Sequence, residues 1–258
     1  HYGYALLWSF IPMLALLIVV QEMVARLGVV TGKGLSDLIR EEFGVKTTVF
    51  VMLALLVTNL GTCAAEFAGL AASLEIFGIS RYFSVPLACG VIWLLVVRGN
   101  YKTVERVFLG ACIIYFSYIL SGFMAQPDWG EVARHTVRPT FHMDAAFIGL
   151  LIGMVGTTIS PWMQFYQQAA IVEKDIPLEQ YRFVRWDVIL GCVMASTVAF
   201  FIVMACGATL FKSGVLIETA EDAAMALKPL AGEFARTLFA VGLVNASLFA
   251  ATILPLST

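Results

Sequence analysis

Charge is scarce in this chain. Of its 258 residues, 13% are Asp, Glu, Lys or Arg, 60% are hydrophobic, and the mean hydropathy is +0.88. Soluble domains carry about a quarter charged residues, so a soluble globular domain is excluded and an integral membrane protein is indicated. The net charge is −2, with nothing to attract a nucleic-acid backbone. The five cysteines, Cys63, Cys89, Cys112, Cys192 and Cys206, are scattered through apolar segments without a CxxC pair. That argues against a disulfide framework or a zinc site and leaves small packing residues. HExxH, GxSxG and the phosphate-loop signature are all absent. An intramembrane enzyme needs a Ser/His set or paired aspartates at membrane depth, and the apolar runs hold neither. The chain therefore reads as no enzyme and as needing no cofactor. It has no basic n-region or small-residue cleavage site. It begins at His1 at the mouth of one apolar run and ends in LPLST inside another. The expectation is a single transmembrane domain over 1–258, truncated at both ends.

What the chain does have is long apolar runs. Seven are long enough, or nearly so, to cross about 30 Å of hydrocarbon: 2–23, 47–77, 83–97, 107–125, 145–172, 188–211 and 238–256. Short connections predict one all-α bundle, with the longest loops at 126–144 and 212–237. If loops alternate sides, one set holds Arg26, Lys33, Arg40, Lys46, Arg98, Lys102, Arg106, Lys174, Arg182 and Arg185. The other holds only Arg81, Arg134, Arg138, Lys212, Lys228 and Arg236. The positive-inside rule puts the first set in the cytoplasm. The stretch 35–43, LSDLIREEF, reads either as a short interfacial helix or as a solvated connector. Trp129, Tyr181 and Trp186 fall near run ends, where an aromatic belt belongs. His135 and His142 fall in the outer loop and are expected to be solvated.

The fifth run is the irregular one. Its stretch GMVGTTISPWMQFYQQ sets Pro161 among Thr157, Thr158, Ser160, Gln164, Gln167 and Gln168. Proline lacks the N–H and clashes with the preceding turn, so the helix kinks or breaks there. In hydrocarbon, freed backbone groups are tolerated where they are buried in protein or line a wet cavity. Ser160, Gln164 and Gln167 share one face of the half-helix that follows. With Thr157 and Thr158 they supply hydroxyl, amide and carbonyl oxygens, hard ligands suited to Mg²⁺, Ca²⁺ or Mn²⁺. An ordinary proline kink patched by Ser and Thr is the alternative. Glu66, near the centre of the second run, is costly in lipid. It either lines an ion path or takes up protons, or it staples two helices as a hydrogen-bonded side chain. Trp162 walls a cavity or simply packs.

Several separated stretches resemble one family. YGYALLW…ARLGVVTGKGL, AEFAGLAASLEIFGI, GTTISPW and LFAATILPLST together are similar to the NRAMP family of divalent metal transporters. The resemblance implies a LeuT-like inverted-repeat transporter fold, with the first run as the family's second helix and the broken run as its sixth. The family's other broken helix would then precede His1. Typical members carry a methionine-proline-histidine motif on the sixth helix, and here it is Ser160-Pro161-Trp162. Thr157 falls where the family offers a backbone carbonyl, and a second family histidine falls at Gln167. An aspartate of the family's proton route falls at Cys63, while Glu66 keeps the glutamate position. These departures resemble the NRAMP-related magnesium transporter branch.

That branch implies uptake of Mg²⁺, with Mn²⁺ as a further substrate, by alternating access and without coupled protons. The metal set would be Thr157, Thr158, Ser160, Trp162 and Gln164, with Glu66 and Gln167 along the ion pathway. The balancing carboxylate would come from the preceding helix, since Thr157, Ser160 and Gln164 are neutral. The location implied is a plasma membrane, a bacterial inner membrane, with the lipid bilayer as surroundings and no obligatory protein partner. The alternatives are a proton-coupled Mn²⁺/Fe²⁺ symporter, an organic-substrate carrier on the same fold, and a non-transporting ion sensor.

Overall fold

In hydrocarbon a backbone must pair with itself, and long apolar runs do so as helices. The computed structural model describes residues 2–98, 110, 112–212, 214, 222, 225, 232 and 235–254. Among these the helices are α1 (Phe10–Thr31), α2 (Leu35–Glu75), α3 (Arg81–Arg98), α4 (Phe116–Met124), α5 (Trp129–Val137), α6 (Ala145–Thr158), α7 (Pro161–Glu173), α8 (Tyr181–Cys206) and α9 (Ala235–Ile253). Short 3-10 turns precede α1, α4 and α8, and a π-helical turn, Gly207–Phe211, follows α8. Among the described residues five segments are long and apolar enough to span: Leu7–Thr31, Leu35–Glu75, Ala145–Glu173, Leu178–Phe211 and Ala235–Ile253. Arg81–Leu94 and Ile113–Met124 are shorter apolar helices. The start of the fourth run at 107–109, the basic residues Lys102, Arg106 and Lys228, most of the 212–237 loop and the end of the last run at 255–256 lie outside the described residues.

Several boundaries move from where hydropathy set them. The first helix starts at Phe10 and runs to Thr31, not 23, because Gly32 ends it in a left-handed conformation (φ 62°) and donates its N–H to Gly28 O. The stretch 35–43 is helical and runs into the second span across Gly44, whose φ of 78° and ψ of 172° suit glycine. Lys33 and Glu41 pair at 2.6 Å on its exposed side. The sixth helix starts at Tyr181, not 188. Charged and aromatic residues at an interface do not stop a helix, although they lower a hydropathy window. The loop 126–144 contains α5, capped by the Asp128 carboxylate, which accepts from the N–H groups of Gly130 (2.9 Å) and Glu131 (3.1 Å). His142 is exposed as expected, with the Phe147 ring at 5.2 Å, whereas His135 is half-buried with the Tyr4 ring at 6.4 Å.

The chain forms two compact units. One comprises His1–Trp8, Cys63–Phe141 and Thr197–Thr252. Within it, Tyr118 meets Phe239 edge-on, Asn245 Nδ2 donates to the Tyr115 hydroxyl at 3.1 Å, and Phe201 and Met204 lie over Gly122. The other comprises Ser9–Thr62, His142–Ser196 and Ile253–Thr258. Its main helix pair is α1 against α7. Gly28 makes that approach close: a Cβ there would stand 3.1 Å from Ile171 Cγ2 and 3.3 Å from Gln168 Cγ. Away from such seams the helices show apolar faces, with Val57 68% and Leu60 64% exposed on α2. Those faces suit lipid tails.

Overpacking a close seam costs about 1–3 kcal/mol. Gly28→Val is therefore expected to lower the thermal midpoint of the detergent-purified protein by several degrees. Gly61→Val, at a glycine with open space around its Cβ position, is expected to change stability by no more than about 0.5 kcal/mol. Equal midpoints for the two variants would refute the α1–α7 packing.

Candidate functional site at a broken helix

The proline forms the site by what it cannot do. Helix α6 ends at Thr158, Ile159 leaves helical geometry (φ −116°, ψ 65°), Ser160 is extended (φ −79°, ψ 137°), and Pro161 opens α7 as its first residue. Proline at that position is tolerated because its missing N–H has no intrahelical partner to lose. The expected break is therefore a full interruption between two helices.

The last turn of α6 then has carbonyls without their usual donors. The Ser160 hydroxyl reaches two of them, and the Thr157 and Thr158 hydroxyls add second bonds to carbonyls already inside the helix ladder. Ser160 Oγ donates to Gly156 O at 2.9 Å and lies 3.2 Å from Thr157 O. Thr157 Oγ1 lies 2.9 Å from Gly153 O and 3.2 Å from Met154 O, and Thr158 Oγ1 donates to Met154 O at 2.7 Å. Ile159 N–H still reaches Val155 O at 2.9 Å. Among the described residues, no backbone N–H reaches the carbonyls of Thr158 or Ile159.

Each hydroxyl spends its one proton on a carbonyl, which leaves its oxygen lone pairs as acceptors. The end of α6 is also the negative pole of that half-helix, and the start of α7 the positive pole of the other. A cation is thus favoured on the α6 side, beside Thr157, Thr158 and Ser160. Ser160 is buried, Thr158 half-buried and Thr157 exposed. Trp162 and Gln164 sit half-buried in the first turn of α7, and Gln167 one turn further on. The structure therefore brings Thr157, Thr158 and Ser160 within one turn and puts Trp162 and Gln164 across the break. Among the described residues no three His, Cys, Asp or Glu side chains cluster to hold a metal. A cation at the break would be met by hydroxyl and carbonyl oxygens and by water.

Gln168 and Gln21 have roles the sequence pattern did not assign. Gln168 belongs to the polar group around Pro161, yet it is fully buried and donates from Nε2 to Lys33 O at 2.8 Å. It anchors the exit of α1 onto α7. Gln21 is 7% exposed, and its Oε1 has no hydrogen-bond partner among the described residues. It shares a buried face of α1 with Val24, Ala25 and Gly28. A lone glutamine inside LLIVVQEM was the signal available in the sequence.

Glu66 lies in the other compact unit, on the second half of α2. It is half-buried and hydrogen-bonded to Ser247 of α9. Ser247 also lies 3.0 Å from where a Cβ on Gly69 would stand. This is the contact that a helix-stapling glutamate makes.

A helix broken mid-span among several apolar helices, with no strand among the described residues, is the architecture of the LeuT-like fold. A solved histidine-to-alanine mutant of the Eremococcus coleocola manganese transporter has this fold, with a TM-score of 0.77 and 22% identity, over 96% of this chain and 56% of that one. The chain belongs to the natural resistance-associated macrophage protein-like (Nramp) family, whose sequence model matches residues 1–258. The divalent metal cation transporter MntH of Bacillus subtilis is 27% identical over 267 aligned residues, 99% of this chain and 62% of the relative. MntH of Klebsiella pneumoniae is 27% identical over 259 residues, 96% of this chain and 61% of the relative. The chain thus spans about three-fifths of the length of these curated relatives.

Removing a hydroxyl that satisfies a buried carbonyl costs about 1–3 kcal/mol. Ser160→Ala is expected to lower the thermal midpoint accordingly, and Ser160→Thr to recover most of the loss. An unchanged midpoint for Ser160→Ala would show that the Gly156 and Thr157 carbonyls find other donors.

Proposed function

We propose that this chain carries divalent metal ions inward across a plasma membrane, a bacterial inner membrane, by alternating access, with the ion held at the Ile159–Ser160 break. The observation that carries the reading is the interrupted helix itself. It collects hydroxyl oxygens and free carbonyls at the negative pole of α6, as transporters do where they hold cations near the bilayer midplane. The names of the relatives, divalent metal cation transporters from several bacteria, support the same reading. Thr157, Thr158 and Ser160 contribute oxygens on the cation-favouring side. Trp162 and Gln164 shape the opposite wall, and Gln167 lines the route.

On donor chemistry the finer reading is Mg²⁺, without coupled protons. The Ser160-Pro161-Trp162 motif offers no sulfur, and soft ligands are what select transition metals over hard ions. Mg²⁺ dehydrates reluctantly and keeps several waters, so a hydroxyl-lined break suits it partly hydrated. Cys63 and Gln167 in place of titrating groups argue against proton coupling. A second reading, a proton-coupled Mn²⁺ symporter, is favoured by the names: the matched solved structure is that of a manganese transporter, and magnesium figures in none of the relatives named above.

Competition uptake into proteoliposomes of the full-length protein separates these readings at the site. Ser160→Met is expected to raise preference for Mn²⁺ or Cd²⁺ over Mg²⁺ by about tenfold, the ratio that one added soft contact worth about 1.4 kcal/mol gives. An unchanged selectivity profile would remove Ser160 from the ion site.

A further inference from the structure

A charged groove stands apart from the broken helix, in the same compact unit. A groove of about 360 Å³ between α1 and α8 is lined by Ile18, Val19, Glu22 and Arg26 on one side and Tyr181, Arg185 and Ile189 on the other. The Tyr181 hydroxyl donates to the Glu22 carboxylate and ties the two helices together. With Glu22 held in that way, neither Arg26 nor Arg185 is ion-paired to a carboxylate among the described residues. The three charged side chains sum to +1, from two arginines and one glutamate. The rest of the lining is apolar, and Val19 is 53% exposed on a face of α1 that continues through exposed Leu16 and Met23. Both arginines belong to the set of basic residues that the positive-inside bias puts in the cytoplasm.

We propose that this groove binds an anionic phospholipid of the cytoplasmic leaflet, with its phosphate between Arg26 and Arg185 and an acyl chain along Ile18, Val19 and Ile189. Guanidinium groups pair with phosphate oxygens in bidentate fashion, and a net charge of +1 matches the single charge of a phosphodiester. Glu22 repels a second negative charge, which selects a lipid phosphodiester over inorganic phosphate. The cytoplasmic leaflet is the one rich in anionic lipid. The isoleucines give the lipid tail a wall that a soluble anion cannot use.

The test uses the full-length protein purified in a neutral detergent, with phosphatidylglycerol, phosphatidylcholine or inorganic phosphate added. Lipid adducts are counted by native mass spectrometry and thermal midpoints are measured in parallel. Phosphatidylglycerol is expected to stay bound and raise the midpoint, with little effect from the other two. Each arginine removed is expected to weaken that binding about fivefold, so Arg26→Gln with Arg185→Gln nearly abolishes it and leaves phosphatidylcholine adducts unchanged. A paired control, Arg40→Gln with Lys46→Gln, removes exposed cytoplasmic charge outside the groove and is expected to keep phosphatidylglycerol bound. Equal loss in both double variants means diffuse attraction to a basic surface and overturns the proposal. So does phosphatidylglycerol binding that survives in Arg26→Gln/Arg185→Gln, or a midpoint raised as much by inorganic phosphate. Should the double variant misfold, Val19→Trp keeps the test open. It fills the groove without touching charge and is expected to remove the phosphatidylglycerol adduct alone, and an intact adduct there counts against the site.

Discussion

One missing N–H governs this structure. Pro161 cannot donate to α6, and the groups it leaves behind lie within a membrane-spanning segment, where water is not freely available to replace the donor. The response is local and chemical. Ser160 turns its hydroxyl back to the α6 carbonyls, and Thr157 and Thr158 do the same one turn earlier. That arrangement stabilises the break and leaves oxygen lone pairs free beside the carbonyls of Thr158 and Ile159. The α1–α7 seam, closed by Gly28 and tied at its far end by Gln168 on Lys33, fixes the second half-helix against a straight neighbour.

The same geometry sets the electrostatics. Two half-helices meeting end to end present opposite poles across a few residues. A cation gains on the α6 side without any side-chain charge there. Neutral oxygens alone balance a divalent ion poorly, so the shell needs a carboxylate from another element, with water in the remaining positions. Ser160 in place of a methionine removes the soft donor that most distinguishes transition metals from Mg²⁺. The names of the relatives pull toward manganese, the donor set toward magnesium, and this one position is where the two readings part.

Much of this was legible in the sequence. Runs of apolar residues marked the helices, and Pro161 among hydroxyls and amides marked the break, because proline and hydrocarbon impose rules that act locally. Helix ends were less legible. The first helix passes its expected end by carrying Arg26 into the interface, and the sixth starts early at Tyr181, since hydropathy averages penalise charges that an interface accepts. Gln168 read as one of the polar residues around the break and is a buried tether, while Gln21, which no sequence pattern singled out, is buried on α1 with its Oε1 unpartnered among the described residues. Both depend on which face of α1 meets α7, a tertiary fact set by Gly28. The outer helix α5 was hidden for a related reason: its stability rests on the Asp128 cap and on contacts of Trp129 with Phe123, not on apolar length.

The central claim is that the break carries a divalent ion across the membrane, and ion flux tests it most directly. Full-length protein in proteoliposomes, with an internal Mg²⁺ dye in one set of vesicles and an internal pH dye in another, gives the answer. The account predicts Mg²⁺ entry with no change in internal pH. Mn²⁺ entry with acidification and no Mg²⁺ entry would contradict the magnesium reading and establish a metal–proton symporter, and no flux of either ion would contradict the carrier itself.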